Sequence, residues 1–169
     1  AMGNVLEKIV ARKKERVESA KRATDEGVLR RRAESAPAPR GFRKALLAPG
    51  APHVVAEIKS ASPSRGDFRV GRDAAGLARA YARGGASALS VITERDFFKG
   101  APERIALARN ACALPVLRKD FLFDPYQVFE SRALGADAVL LIARILDGER
   151  LEGMIALARK TGMDALVEV

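Results

Sequence analysis

Four charged residues of both signs close short apolar runs: Glu57, Lys59, Lys119 and Glu168. Glu57 and Lys59 stand two apart in Val54-Val55-Ala56-Glu57-Ile58-Lys59, the spacing that puts strand side chains on one side. Lys119 follows Leu117-Arg118, and Glu168 follows Leu166-Val167. Any one of them alone reads as an ordinary exposed residue at a strand end. Two lysines and two glutamates converging on one mouth would be a different object. Opposite charges there offset lost hydration, a phosphate or carboxylate can be gripped, and a proton donor and a proton acceptor are both at hand.

The elements that must bring them together are legible in the pattern. Apolar runs at Val54–Ile58, Ala88–Ile92, Pro115–Leu117 leading into Lys119, Ala138–Ile142 and Ala165–Val169 predict five strands. Helical patterns over Ala74–Arg83, Pro102–Ala111, Pro125–Leu134 and Gly148–Lys160 separate them. Asp73, Asp124 and Asp147 stand where a carboxylate can accept the orphan amides of a helix start, and Gly84, Gly135 and Gly162 follow the last turns. This βαβ alternation predicts a parallel sheet with helices outside it. The stretch after the first strand, Lys59-Ser60-Ala61-Ser62-Pro63-Ser64-Arg65-Gly66, lacks the glycine fingerprint of a dinucleotide site. The alternative is a (β/α)8 barrel of the TIM type, whose active sites form at the C-terminal strand ends and whose alternate strands share a layer of inward side chains. Strands one, three and five then aim at one point. A complete barrel takes roughly 250 residues, so the expectation is an incomplete one, truncated after the fifth strand. Residues 1–48 are expected to form an N-terminal helical extension and residues 49–169 the partial barrel.

With those runs in place, the chain resembles the indole-3-glycerol-phosphate synthase family of tryptophan biosynthesis. The resemblance rests on Val55-Ala56-Glu57-Ile58-Lys59 with Ser62-Pro63-Ser64, Ser90-Val91-Ile92-Thr93-Glu94, Leu117-Arg118-Lys119-Asp120-Phe121 with Asp124-Pro125, Gly135 to Ile142, and Leu166-Val167-Glu168-Val169. It implies a carbon–carbon lyase that closes 1-(2-carboxyphenylamino)-1-deoxyribulose 5-phosphate to indole-3-glycerol phosphate, releasing carbon dioxide and water. Lys119 is implied as general acid and Glu168 as general base. Lys59 is implied as phosphate or carboxylate contact and second acid, and Glu57 as the carboxylate that pairs the lysines and holds substrate hydroxyl and amino groups. Ser62, Phe98, Phe121 and Leu140 match pocket positions; for the three apolar ones a plain core role stays open beside contact with an anthranilate ring. No metal and no cofactor are implied. The family's later phosphate-binding turns have no counterpart in these residues, so weak or absent turnover by the chain alone is expected, and a noncatalytic phosphate-binding barrel remains the alternative. The loop from Ser60 to Arg72 is long for its kind and is expected to act as a cover.

Composition limits the other readings. The 169 residues are 48% hydrophobic and 30% charged, a globular balance, with no apolar run near the length of a membrane span. A lone cysteine, Cys112, suits a cytoplasmic protein without disulfides. The net charge of +9 is concentrated early: residues through Lys44 carry 13 basic and 6 acidic side chains. That segment could touch RNA, but Val5-Leu6, Ile9-Val10 and Val17 recur at helical spacing, which favours an amphipathic helix with a solvated charged face. Aromatic content of 5% also argues against a stacking platform, so no nucleic-acid partner and no membrane partner are expected. Self-association through exposed sheet edges is expected instead.

Overall fold

A computed structural model describes residues 2–50, 52–68 and 73–169, with side chains from residue 5 onward. Three helices come first: α1 (Met2–Ala23), α2 (Glu26–Ser35) and α3 (Phe42–Leu46). The barrel-type units follow as β1 (Val55–Ile58), a small hairpin of β2 (Ala61–Ser62) and β3 (Gly66–Asp67), then α4 (Ala74–Arg83), β4 (Ala88–Ile92), α5 (Arg104–Ala111), β5 (Val116–Lys119), α6 (Pro125–Ala133), β6 (Ala138–Ile142), α7 (Gly148–Lys160) and β7 (Asp164–Glu168). Five strands form one parallel sheet in the order β1-β4-β5-β6-β7. Each predicted strand and each of the four later helices is present within two residues of its expected bounds.

Local chemistry sets these boundaries. Asp73, Asp124 and Asp147 accept the amides of Gly76, Tyr126 and Arg150, and Asp124 completes a capping box with Gln127. Gly135 and Gly162 take the left-handed backbone after their helices, but after α4 it is Gly85, not Gly84, that does so. The stretch before the polar segment at residues 36–41 is not one continuous amphipathic helix: it breaks at Thr24, and Asp25 caps a second helix by accepting the amide of Gly27.

Strand residues alternate between two environments. Ile58, Leu89, Val91, Val116, Val139 and Leu141 face the helices and pack with Ala78 of α4, Ile105 of α5, Val128 of α6 and Met154 of α7 in the main core. The opposite parity, including Glu57, Ser90, Leu117, Lys119, Leu140, Leu166 and Glu168, lines the other face. Phe42 of α3 packs under that face against Ala88, Leu117 and Ala138. β4 and β6 are buried at every residue. β1 and β7 are the outer strands of this sheet, and Leu166 on β7 is 43% exposed.

The two ends of the sheet are tied differently. At the N-terminal strand ends, Asp137 accepts the amides of Arg40 (2.7 Å) and Val116 (2.7 Å) and the guanidinium of Arg109. Arg40 donates to the carbonyls of Cys112 and Leu114, and Arg132 to those of Ala136 and Pro37, which straps the segment after α2 beneath the sheet. At the C-terminal ends, α1 crosses the rim. Lys13 pairs with Asp120 at 2.7 Å, Arg16 with Asp96 at 2.7 Å and Lys21 with Asp124 at 2.6 Å. Leu29 and Ala33 of α2 pack on Tyr126 and Phe129 of α6, and the Arg30 guanidinium lies 4.4 Å above the Phe129 ring.

Candidate active site

Register explains how the four charged residues meet. Glu57 pairs with Ser90 and Ser90 with Leu117, while Ile92 pairs with Lys119 and Ile142 with Glu168. Since side chains two apart share a face, Lys59, Lys119 and Glu168 reach the C-terminal mouth and Glu57 sits one step below it. The Lys119 ammonium donates to Glu57 Oε2 at 3.0 Å, and Lys59 Nζ lies 3.8 Å from Glu57 Oε1. One carboxylate thus holds two lysines. The side chains of Glu57, Lys59 and Lys119 remain between 32% and 42% exposed. A pair this wet is worth at most about 1 kcal/mol, so an anionic ligand can displace it without large cost.

Two adjoining hollows open on this cluster. One, of about 190 Å³, is lined by Lys59, Lys119, Glu168, Phe98, Phe121 and Leu140 among others. A shallower one of about 390 Å³ continues down the inner face between Glu57, Lys119, Leu140, Leu166 and Glu168. Phe98 and Phe121 form a tilted pair with ring centroids 6.2 Å apart, and Lys59 Nζ lies 5.8 Å from the Phe98 ring centre. A planar ring fits against such a wall while its charged substituents reach the lysines. Ser62 stands apart. Its hydroxyl accepts the Arg65 amide at 3.1 Å inside the β2–β3 hairpin, and it lines neither hollow. The expected cover over Ser60–Arg72 is partly this hairpin; residues 69–72 lie outside the described residues.

Sequence reasoning passed over the two carboxylates that directly follow strands. Glu94 is 1% exposed and lines the smaller hollow. Its Oε1 accepts the Asp96 amide at 3.0 Å, and its Oε2 accepts those of Phe97 and Phe98 at 2.7 and 3.0 Å. Asp120 faces the helix side of the rim. It accepts the Thr93 hydroxyl at 2.6 Å and is paired with Lys13 and, at 3.3 Å, with Arg118. Arg118 in turn donates to Glu130 at 2.7 Å and to Ser131 at 3.1 Å on α6. Burial pushes the Asp120 carboxyl up, but the fields of Arg118 and then Lys13 outweigh it and hold the group below the ordinary carboxylate range. Asp96 is likewise held low, first by its hydrogen bond from Arg16. The available signal was positional: an acidic residue one or two places past an apolar strand, in Ile92-Thr93-Glu94 and Lys119-Asp120.

Parallel βα units with ionisable side chains at their C-terminal strand ends are the arrangement of the functional face of (β/α)-barrel proteins. Residues 6–169 match the profile of the family described as indole-3-glycerol phosphate synthase, and the chain belongs to that family. It is 49% identical over 171 residues to the indole-3-glycerol phosphate synthase of Azoarcus sp. (strain BH72), an alignment that covers 99% of this chain and 65% of that protein. The chain therefore spans a little under two-thirds of the relative it matches. The family's fold is the TIM barrel, and the five-stranded parallel sheet is consistent with part of one. Among the described residues no helix is long and apolar enough to cross a membrane.

Proposed function

We propose that this chain carries the proton-transferring part of an indole-3-glycerol-phosphate synthase site. The substrate would be the phosphorylated anthranilate derivative 1-(2-carboxyphenylamino)-1-deoxyribulose 5-phosphate. The observation that supports it most is the Glu57 carboxylate held between Lys119 and Lys59, beside a wall of Phe98 and Phe121 and within the hollows that Glu168 also lines. In this reading Lys119 protonates the ketone oxygen as the ring carbon attacks the carbonyl carbon, and carbon dioxide leaves from that ring carbon. Protonation of the resulting hydroxyl, by Lys59 or by Lys119 once it has regained a proton, lets it depart as water while Glu168 removes the proton from the carbon beside the nitrogen, which completes the aromatic indole ring. Glu57 orients the two lysines and accepts hydrogen bonds from substrate hydroxyl or amino groups. Lys59 meets the substrate's phosphate or carboxylate, and Phe98, Phe121 and Leu140 hold the ring so that the reacting carbons approach. Ser62 is assigned to the substrate side as a donor, since its hydroxyl accepts the Arg65 amide and keeps its own proton.

The test is indole fluorescence on addition of that substrate to the chain alone and to the chain co-expressed with the C-terminal third of the Azoarcus relative. Turnover in the pair that disappears with Lys119→Met supports the reading. Absence of turnover in the pair, or turnover unchanged by Lys119→Met, rejects it and leaves a noncatalytic phosphate-binding barrel. We also propose that the chain by itself associates through the outer strands β1 and β7, where Val55 is 38% and Leu166 43% exposed. Sedimentation giving a compact monomer across the accessible concentration range would exclude association.

A further inference from the structure

Between Ile92 and Ala101 the chain doubles back over the end of β4. A Cβ added at Gly100 would lie 2.6 Å from the carbonyl oxygens of both Ile92 and Glu94, so only glycine fits where the strands of this loop pass each other. The Gly100 amide donates to the Glu94 carbonyl at 2.6 Å, and Lys99 before it adopts a positive φ of 50°. Inside the loop the Glu94 carboxylate meets three amides from residues 96, 97 and 98. Successive amides turned toward one point form an anion-binding nest, and here the anion is the chain's own side chain. A buried carboxylate needs such compensation, and hydrogen bonds to a charged acceptor are the strong kind.

We propose that Glu94 is the positioning residue that fixes Phe98 as one wall of the ring pocket. Its two oxygens are both occupied by loop amides, so it acts through the backbone rather than by moving a proton. The last of those amides belongs to Phe98 itself, whose ring then stands 6.2 Å from that of Phe121 and 5.8 Å from the Lys59 ammonium. Asp96, the first residue captured, is also the one that Arg16 of α1 grips, so the loop is held from its inside by Glu94 and from its outside by α1. The inference rests on the ring-closing reading of the hollow for its kinetic consequence, but not for its structural one.

Glu94→Gln keeps the size of the side chain while replacing one acceptor oxygen by a donor that opposes the loop amides. Two readouts decide. In the chain alone, hydrogen exchange of the amides of residues 96–98 should quicken by about tenfold or more, while β4 and β5 amides keep their rates. In the pair with the relative's C-terminal third, KM should rise about tenfold with kcat within about threefold, because a loosened wall weakens the grip on the ring in ground and transition states alike. A purely structural role would lower the active fraction and so kcat, leaving KM in place; that result overturns the proposal. Unchanged exchange overturns it too. Phe98→Leu supplies a second route should Glu94→Gln fold poorly. Its own KM effect should be large, and the double variant should add little to it, whereas additive effects reject action through Phe98. If the unaltered pair shows no turnover, the ring-closing reading falls, and the exchange rates alone judge whether Glu94 pins the loop.

Discussion

The charged cluster beneath the sheet and the one in its C-terminal mouth use their charges in opposite ways. At the N-terminal end, Asp137 is 1% exposed and every oxygen is engaged, with Arg109 and Arg132 bound to carbonyls around it. At the C-terminal mouth, Glu57, Lys59 and Lys119 keep about a third or more of their side-chain surface wet. The first arrangement cannot release a partner without leaving a buried charge unpaired. The second exchanges partners cheaply, as the proposed binding of an anionic substrate requires. The general division of barrels into a stabilising face and a reacting face would then correspond here to the exposure of the ion pairs.

The comparison can be broken at several points. The largest effect belongs to Lys119→Met in the complemented pair: turnover should fall by about 10²–10⁴-fold, while urea unfolding moves by no more than about 1 kcal/mol because the lost pair is exposed. Asp137→Ala should do the reverse. Removing a buried carboxylate with three partners should cost about 3–5 kcal/mol in urea unfolding, with activity per folded molecule retained. Comparable stability losses from both substitutions would erase the distinction between the two ends.

A finer division lies within the C-terminal end, between its wet mouth and the dry Asp120 cluster behind it. Asp120 is depressed in the folded chain, so its pairing stabilises the fold above the unfolded carboxyl value of about 4 and is lost as pH falls through the folded value. Lys13→Met removes one of the charges that hold it low. The acid-unfolding midpoint, followed by circular dichroism, should therefore move to higher pH in that variant; an unmoved midpoint would remove Asp120 from the account of acid stability. The smallest effect is expected for the exposed pair of Lys99 with Asp67, 3.0 Å apart between the β4–α5 loop and the hairpin. Lys99→Ala should change thermal stability by less than about 1 kcal/mol.

The legible parts of the fold were those fixed by neighbours in sequence. Strands β4 and β6 announced themselves as apolar runs, and Asp73, Asp124 and Asp147 as caps, because a cap needs only a carboxylate and the next turn. Glu57, Lys59, Lys119 and Glu168 could be placed at one mouth because strand parity and parallel register decide it. The break between α1 and α2 was hidden by the run Arg30-Arg31-Arg32, which gives α2 little apolar periodicity, although Asp25-Glu26 marks its start. The Arg40–Asp137 strap and the Lys13–Asp120 pair join residues about a hundred positions apart, and no local pattern names such partners. Glu94 was missed for a different reason. Its partners are backbone amides two to four residues on, and their convergence depends on a loop path that side-chain types do not specify.

Asp124 performs two tasks at once. One oxygen accepts the Tyr126 amide at the start of α6, and the other receives the Lys21 ammonium of α1 at 2.6 Å. A single substitution there can remove an anchor from each helix together. Aspartate suits both because its arm is short enough to reach its own backbone and its charge strong enough to hold a distant amine.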